Sequence, residues 1–390
     1  MSHLEGKSDV GNYYEFLKDY SSSRKPELSY FSRQWNIEQW KKIARAKVLE
    51  LLNYFPEDAP LDAKTLKTYS IDGVNYEEIE FNTAKNVRIK GTVLLPDKGE
   101  KPYPAVIALH DHSGNYFYGK EKIVKQQNES GFLADFKLSS YEDRSWANEL
   151  AKRGYAVMCI DGFYFGSRRL DLNEVSDEML ERFGAEFEGI EYGTDEYIQK
   201  FNKFCQEYEQ LLVKHIFISG TTWPGILFHD DRKCIDYLYS RDDIDKDRIG
   251  CCGLSLGGFR SVHLAALDDR IKCSVAACWM STYSSLLHSH LRNHTYMIYV
   301  PGITNFMDLP DIVSLTAPNP LFIQQCSKDR LFPLDGMEQA CMNIQKVYTH
   351  MEQPEKYKYQ FYDNGHEFNL QMQEDAFSWL DKWLKNENYK

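Results

Sequence analysis

A chain of 390 residues is long enough for one large α/β domain with elaborations, or for two domains. Its 46 basic residues are outnumbered by 58 acidic ones, for a net charge of −12, and no Lys/Arg block occurs, which argues against nucleic acid and anionic membrane as partners. Aromatic residues reach 14% of the chain, enough to fill a core and still line a pocket or lid.

Cys159, Cys251, Cys252, Cys273, Cys278 and Cys326 sit inside apolar runs, and no CxxC pair is present. Buried free thiols are expected rather than a disulfide framework. Residues Met1 to Tyr20 carry no apolar core of a secretory leader, and no run is long enough to span a bilayer. The expectation is a soluble cytoplasmic protein.

Residues 1–62 read as a helical extension. Ile37, Trp40, Ile43, Ala44, Val48, Leu51 and Leu52 fall on one helical face, and Pro56 and Pro60 close the segment. Tyr13, Tyr14, Phe16, Tyr30, Phe31 and Trp35 could alternatively contact further copies of the chain in a homo-oligomer. Residues 63–390 read as one α/β domain. It begins with period-two alternation over 68–71, 76–81 and 88–95, broken by the turn Asp72-Gly73, which predicts an antiparallel edge.

The continuous apolar run from Pro104 to Leu109 predicts a strand covered on both faces. It ends in His110-Asp111-His112-Ser113-Gly114. Two histidines around an aspartate suggest a metal, but they lie too close along an extended loop to converge easily on one ion. A structural role for His110 is the alternative. After a helix over 146–153, the strand 155–160 ends in Asp161-Gly162-Phe163. Strand tips on this side of a doubly wound sheet face the ligand crevice, so Asp161, Phe163 and Arg168 could reach the site. His110, Asp161, Phe163 and Trp223 are the candidate substrate contacts. Asp161 could equally tie down its own turn, and Arg168 could serve as an ion-pair partner.

Residues of about 163–220 interrupt the α/β rhythm with helically spaced Asp, Glu, Phe and Tyr, predicting a lid or pocket wall. A helix over 223–239 leads to the buried strand 249–253 and then to Gly253-Leu254-Ser255-Leu256-Gly257. Gly-x-Ser-x-Gly between a strand and a helix (here 256–267) holds a serine on a strained corner, with its hydroxyl lifted clear of the backbone. Gly253 and Gly257 admit the close approach of strand and helix. The plainer alternative is an ordinary helix N-cap. If Ser255 is a nucleophile, the amides of Leu256 and His112 would form the oxyanion hole.

The strand 273–278 precedes a second insertion, about 279–318. There His288, His290 and His294 occur, the last two spaced to share a helical face, and Asp308 and Asp311 offer carboxylates. The next strand, 320–326, is tipped by Asp329, where the acid belongs in the order Ser…Asp…His, with Asp335 as fallback. A helix, a last strand 357–362 and then Gly365-His366 supply the general base, and a helix from about 371 to 384 closes the chain.

Together the His110–Gly114 loop, Gly253-Leu254-Ser255-Leu256-Gly257-Gly258, Asp329 with Leu331-Phe332-Pro333, and Gly365-His366 resemble the α/β-hydrolase fold. Within it the chain resembles the bacterial dienelactone-hydrolase-like and acetyl xylan esterase-like serine hydrolases, over roughly 65–386. The stretches 161–166 and 301–333 strengthen that likeness. The resemblance implies a mostly parallel sheet with helices on both faces, and hydrolysis of short acyl esters, acetylated carbohydrates among them, without cofactor or metal. Ser255, Asp329 and His366 would be catalytic. Dienelactone hydrolases use a cysteine nucleophile, so lactone specificity does not carry over. A peptidase related to the prolyl oligopeptidases, or a non-catalytic ligand-binding relative, are the alternatives.

Overall fold

The computed structural model describes residues 7–184 and 187–385. Residues 185 and 186 of the first expected insertion, and the ends of the chain, lie outside them. Nine strands form one sheet: β1 (Lys64–Ile71), β2 (Val74–Ala84), β3 (Val87–Pro96), β4 (Tyr103–Leu109), β5 (Ala156–Ile160), β6 (Ile244–Leu254), β7 (Cys273–Ala277), β8 (Leu321–Cys326) and β9 (Tyr357–Tyr362). Their order is β1-β2-β3-β5-β4-β6-β7-β8-β9. β1 to β3 and the β3–β5 pair are antiparallel, and every pairing from β5 through β4 to β9 is parallel. Asp72 and Gly73, with φ of 49° and 75°, turn the first hairpin in the left-handed region that a two-residue connection requires.

The parallel strands are apolar throughout because helices cover both faces. Ala105, Ile107 and Leu109 of β4, with Ile249 and Cys251 of β6, face the helices Ile37–Leu52, Trp223–Tyr239, Leu256–Leu267 and Leu334–His350. Val106, Ala108, Cys252 and Leu254 alternate onto the other face, under the helices Trp146–Lys152 and Leu370–Leu384. All nine cysteines are buried free thiols in these layers and their surroundings. No single helix among the described residues is long and apolar enough to cross a membrane.

The Ile37–Leu52 helix is capped by the Asn36 side chain and buries Trp40, Ala44, Val48 and Leu52, but not Ile43, which is exposed. Lys41 turns inward instead and donates to the Ala317 carbonyl. At 100° per residue, Lys41 lies about 40° from the centre of that stripe and Ile43 about 120°. Angle, rather than hydropathy, decides which of the two is buried.

Between β4 and the Trp146–Lys152 helix lies a helix absent from the sequence reading, Gly131–Tyr141, preceded by a 3-10 turn at Lys120–Lys122. The first insertion contains the helices Asp177–Arg182 and Asp195–Ile218. The second is mostly single turns, with short helices at Tyr283–Leu286 and Leu309–Ser314. Asp308 and Asp311, of open role in the sequence, form a capping box on the latter helix, and Asp311 also accepts from the Tyr30 amide at 2.9 Å.

Candidate active site

Leu109 of β4 pairs with Gly253 of β6, so both strands end level and the loop after one lies against the turn after the other. A Cβ on Gly257 would come within 2.0 Å of the Leu109 carbonyl oxygen, and one on Gly253 within 2.4 Å of the Gly257 backbone. Only glycine permits that contact. Ser255 sits on the corner with φ 57° and ψ −118°, a backbone conformation costly for any residue with a Cβ. Its amide is spent on the Ala277 carbonyl at 2.8 Å. Ser255 is partly exposed within an otherwise buried turn.

The loops after β8 and β9 bring Asp329 and His366 together, with His366 Nδ1 2.6 Å from Asp329 Oδ2. The Leu331 amide donates to the other carboxylate oxygen at 2.8 Å. Because Nδ1–H donates to Asp329, Nε2 is left with its lone pair. The fallback Asp335 instead stands in the first turn of the Leu334–His350 helix. Ser255 and His366 line one cavity of about 200 Å³, together with His112, Leu256, Trp279 and His294. Among the described residues no hydrogen bond joins Ser255 to His366, a looseness common before substrate binds. A larger cavity of about 470 Å³, lined by Leu49, Tyr54, His229 and Lys233, offers no nucleophile beside a base, so chemistry rather than volume identifies the site.

No carbonyl or carboxylate of the described residues takes the amide N–H of His112 or of Leu256. The Leu256 amide begins a twelve-residue helix, whose N-terminus favours negative charge. The His112 ring is held separately. Its Nδ1 accepts from the Gly114 amide at 3.0 Å, and its Nε2 donates to Glu209 at 3.0 Å. Glu209, on the Asp195–Ile218 helix, also accepts from Tyr116 at 2.8 Å and Thr295 at 2.9 Å. Burial opposes its charge, yet His112, Tyr116 and Thr295 hold the carboxyl below its ordinary value. Glu209→Ala strands three donors, so it should cost about 2–4 kcal/mol in urea denaturation. Activity should fall about tenfold through the loosened loop. Since the folded-state value is depressed, this contribution is present above the ordinary glutamate range and lost as pH falls through the folded value.

The four candidate substrate contacts lie elsewhere. His110, Asp161 and Trp223 are fully buried, Phe163 packs against Trp223, and none lines the cavity. His110 donates from Nδ1 to the Asp111 carbonyl at 2.8 Å and accepts from the Gly162 amide at 2.9 Å, and burial pushes its pKa down to about 3. Asp161 ties down its own turn, accepting from the Lys120 amide, Lys120 Nζ and Ser167, while Arg168 pairs with Asp230 at 2.6 Å. His110 and Asp161 stand at the right end of the sheet, but buried partners have consumed their polar atoms. Trp223 instead opens a helix, and its buried indole N–H makes no hydrogen bond among the described residues.

His290 and His294 do not share a helix, because a single 3-10 turn, Leu291–Asn293, lies between them. His294 lines the cavity. Burial pushes its pKa down to about 4, and the neutral ring donates from Nε2 to the Leu331 carbonyl at 3.1 Å, steadying the turn behind Asp329. Trp279 packs edge-on against Phe332 at 5.3 Å. Among the described residues one group has metal-ligand spacing, Cys278 with Asp329 and His366, all within 4.8 Å. The latter two are spent on each other, and burial keeps the Cys278 thiol protonated, so this donor set does not suit a cation.

No family model matches the chain. It is 27% identical over 342 residues to the candidate hydrolase YtaP of Bacillus subtilis (strain 168), covering 87% of this chain and 98% of that one. A candidate acetyl xylan esterase from Bacteroides fragilis NCTC 9343 superposes with a TM-score of 0.68 at 18% identity, over 91% of this chain and 84% of its own. A glucuronoyl esterase from Solibacter usitatus superposes with a TM-score of 0.60 at 12% identity, over 91% and 96%. At such identities the likeness is one of fold, and the fold is that of the α/β-hydrolases.

Proposed function

We propose that the chain is a carboxylic ester hydrolase that works through an acyl-serine, on acetyl and other short acyl esters, with esters of carbohydrates as the substrate class. The observation that carries this reading is the 2.6 Å His366–Asp329 bond opening onto the same cavity as the strained Ser255. Neighbours named as acetyl xylan esterase and glucuronoyl esterase support the carbohydrate ester class.

In this mechanism Ser255 Oγ attacks the ester carbonyl as His366 Nε2 takes its proton. Asp329 holds the ring in the required tautomer and stabilises the imidazolium without accepting the proton. The Leu256 and His112 amides receive the carbonyl oxygen as it becomes an oxyanion. Collapse breaks the C–O bond, and His366 returns the proton to the departing alcohol. Water then repeats the sequence on the acyl-serine, releasing the acid. A fluorophosphonate should label Ser255, detected as a mass shift on its peptide, and short nitrophenyl esters should turn over while peptide amides do not. An unlabelled Ser255 would overturn the reading, and cleavage of amides would move it to the peptidases.

A further inference from the structure

Leu256 presents its amide because a helix begins there. His112 lies on a loop, and its N–H must be aimed by something else. A trans peptide points its C=O and N–H in opposite directions, so holding the Asp111 carbonyl aims the His112 amide. That carbonyl accepts from Lys122 Nζ at 2.8 Å and from His110 Nδ1 at 2.8 Å. Lys122 also donates to the His112 carbonyl at 3.0 Å, gripping consecutive peptides from one side. The lysine is fully buried, its ammonium 3.8 Å from Asp111 Oδ2 and 4.8 Å from the centre of the Phe165 ring. A buried cation is expensive to keep for packing alone.

We infer that Lys122 is a positioning residue of the oxyanion hole: its ammonium fixes the Asp111–His112 peptide so that the His112 N–H faces the cavity. The inference rests on the ester hydrolase reading above. A positive charge on the carbonyl side also polarises the peptide, making its N–H a stronger donor to a developing oxyanion.

The charge state gives this role a signature. Burial pushes the Lys122 pKa down to about 8, with Arg260 adding to the fall, while Asp111, Glu121 and Asp161 hold it up. The other groups facing it are the His110 ring, which burial keeps neutral, and the Tyr141 hydroxyl, which donates to Asp111. The charged grip is therefore present below about pH 8 and weakens as pH rises through it, because the neutral amine keeps two N–H donors but loses the positive charge that strengthens and polarises them. Stability linked to this lysine runs the other way, because between about 8 and its ordinary value the unfolded chain binds more protons. A lysine that only held the fold together would not lower activity where its own linkage raises stability.

The test uses Lys122→Met and Lys122→Gln in the full chain, with competent sites counted by fluorophosphonate titration. We expect kcat per titrated site for a short-chain ester to fall about 100-fold, the size of a lost oxyanion donor, with KM within about threefold of wild type. Wild-type kcat should decline above about pH 8 with the circular dichroism spectrum unchanged, and the Met variant should lack that decline. A kcat per site within about twofold of wild type in the Met variant overturns the assignment. If neither variant folds, the wild-type profile decides, and a flat kcat from pH 7 to 9.5 overturns it. A wild type that neither labels nor turns over ester removes the hydrolase reading itself, and Lys122 with it. A labelled, active wild type with equally active variants removes Lys122 alone.

Discussion

Replacing Ser255 with alanine is expected to lower kcat on a short acyl ester by about 10⁶-fold while leaving the protein folded. The size follows from how a nucleophile and its base act as a unit: without the alcohol, the imidazole has nothing to deprotonate except water. What remains, about 10³–10⁴ over the uncatalysed reaction, would come from binding and the two amides. Stability should barely move. Alanine keeps the Cβ and therefore the cost of φ 57°, and the Ser255 amide keeps its bond to the Ala277 carbonyl. Turnover corrected for the uncatalysed rate, alongside a urea melt, measures both. A loss of less than tenfold would show that the reacting oxygen is not on this residue.

Asp329→Asn should lower kcat by about 10⁴-fold with KM little changed. The structure says which way the new amide turns. The Leu331 N–H points at Oδ1 from 2.8 Å and needs an oxygen there, so the NH₂ of asparagine faces His366 Nδ1. The imidazole must then accept at Nδ1 and carry its proton on Nε2, where no lone pair remains for the Ser255 proton. Nitrogen NMR of the ring should report Nδ1–H in the wild type and Nε2–H in the variant. An unchanged tautomer with full activity would remove Asp329 from the mechanism.

Several features of the site were readable because they are local. A buried strand, Gly-x-Ser-x-Gly and an amphipathic helix are contiguous, and glycine is demanded wherever a Cβ would strike backbone, so 253 to 257 announce their own geometry. Asp329 and His366 followed from chain order, since each stands just past a strand whose apolar run is plain. The features that were not readable are clamps between distant segments. Glu209 is one of many acidic residues on an amphipathic helix, and nothing in its spacing says that it will accept from His112, 97 residues away. Lys120, Lys122 and Lys137 look like solvated charges but are buried, each with a carboxylate partner. The candidate contacts His110, Asp161 and Trp223 show the converse: the first two stand at strand ends and the third opens a helix, yet all three side chains are buried in the core.

The amino-acid order by itself determined the sheet, its covered faces and the sequence of chemical groups along its carboxyl edge, because hydrophobic period and glycine sterics act over a few residues. Tertiary structure alone decided which carbonyls the lysine grips, which histidines border the cavity and how the insertions lock onto the His112 loop. Those outcomes depend on where long, irregular segments come to rest, and burial then changes the charge and bonding of whatever it encloses.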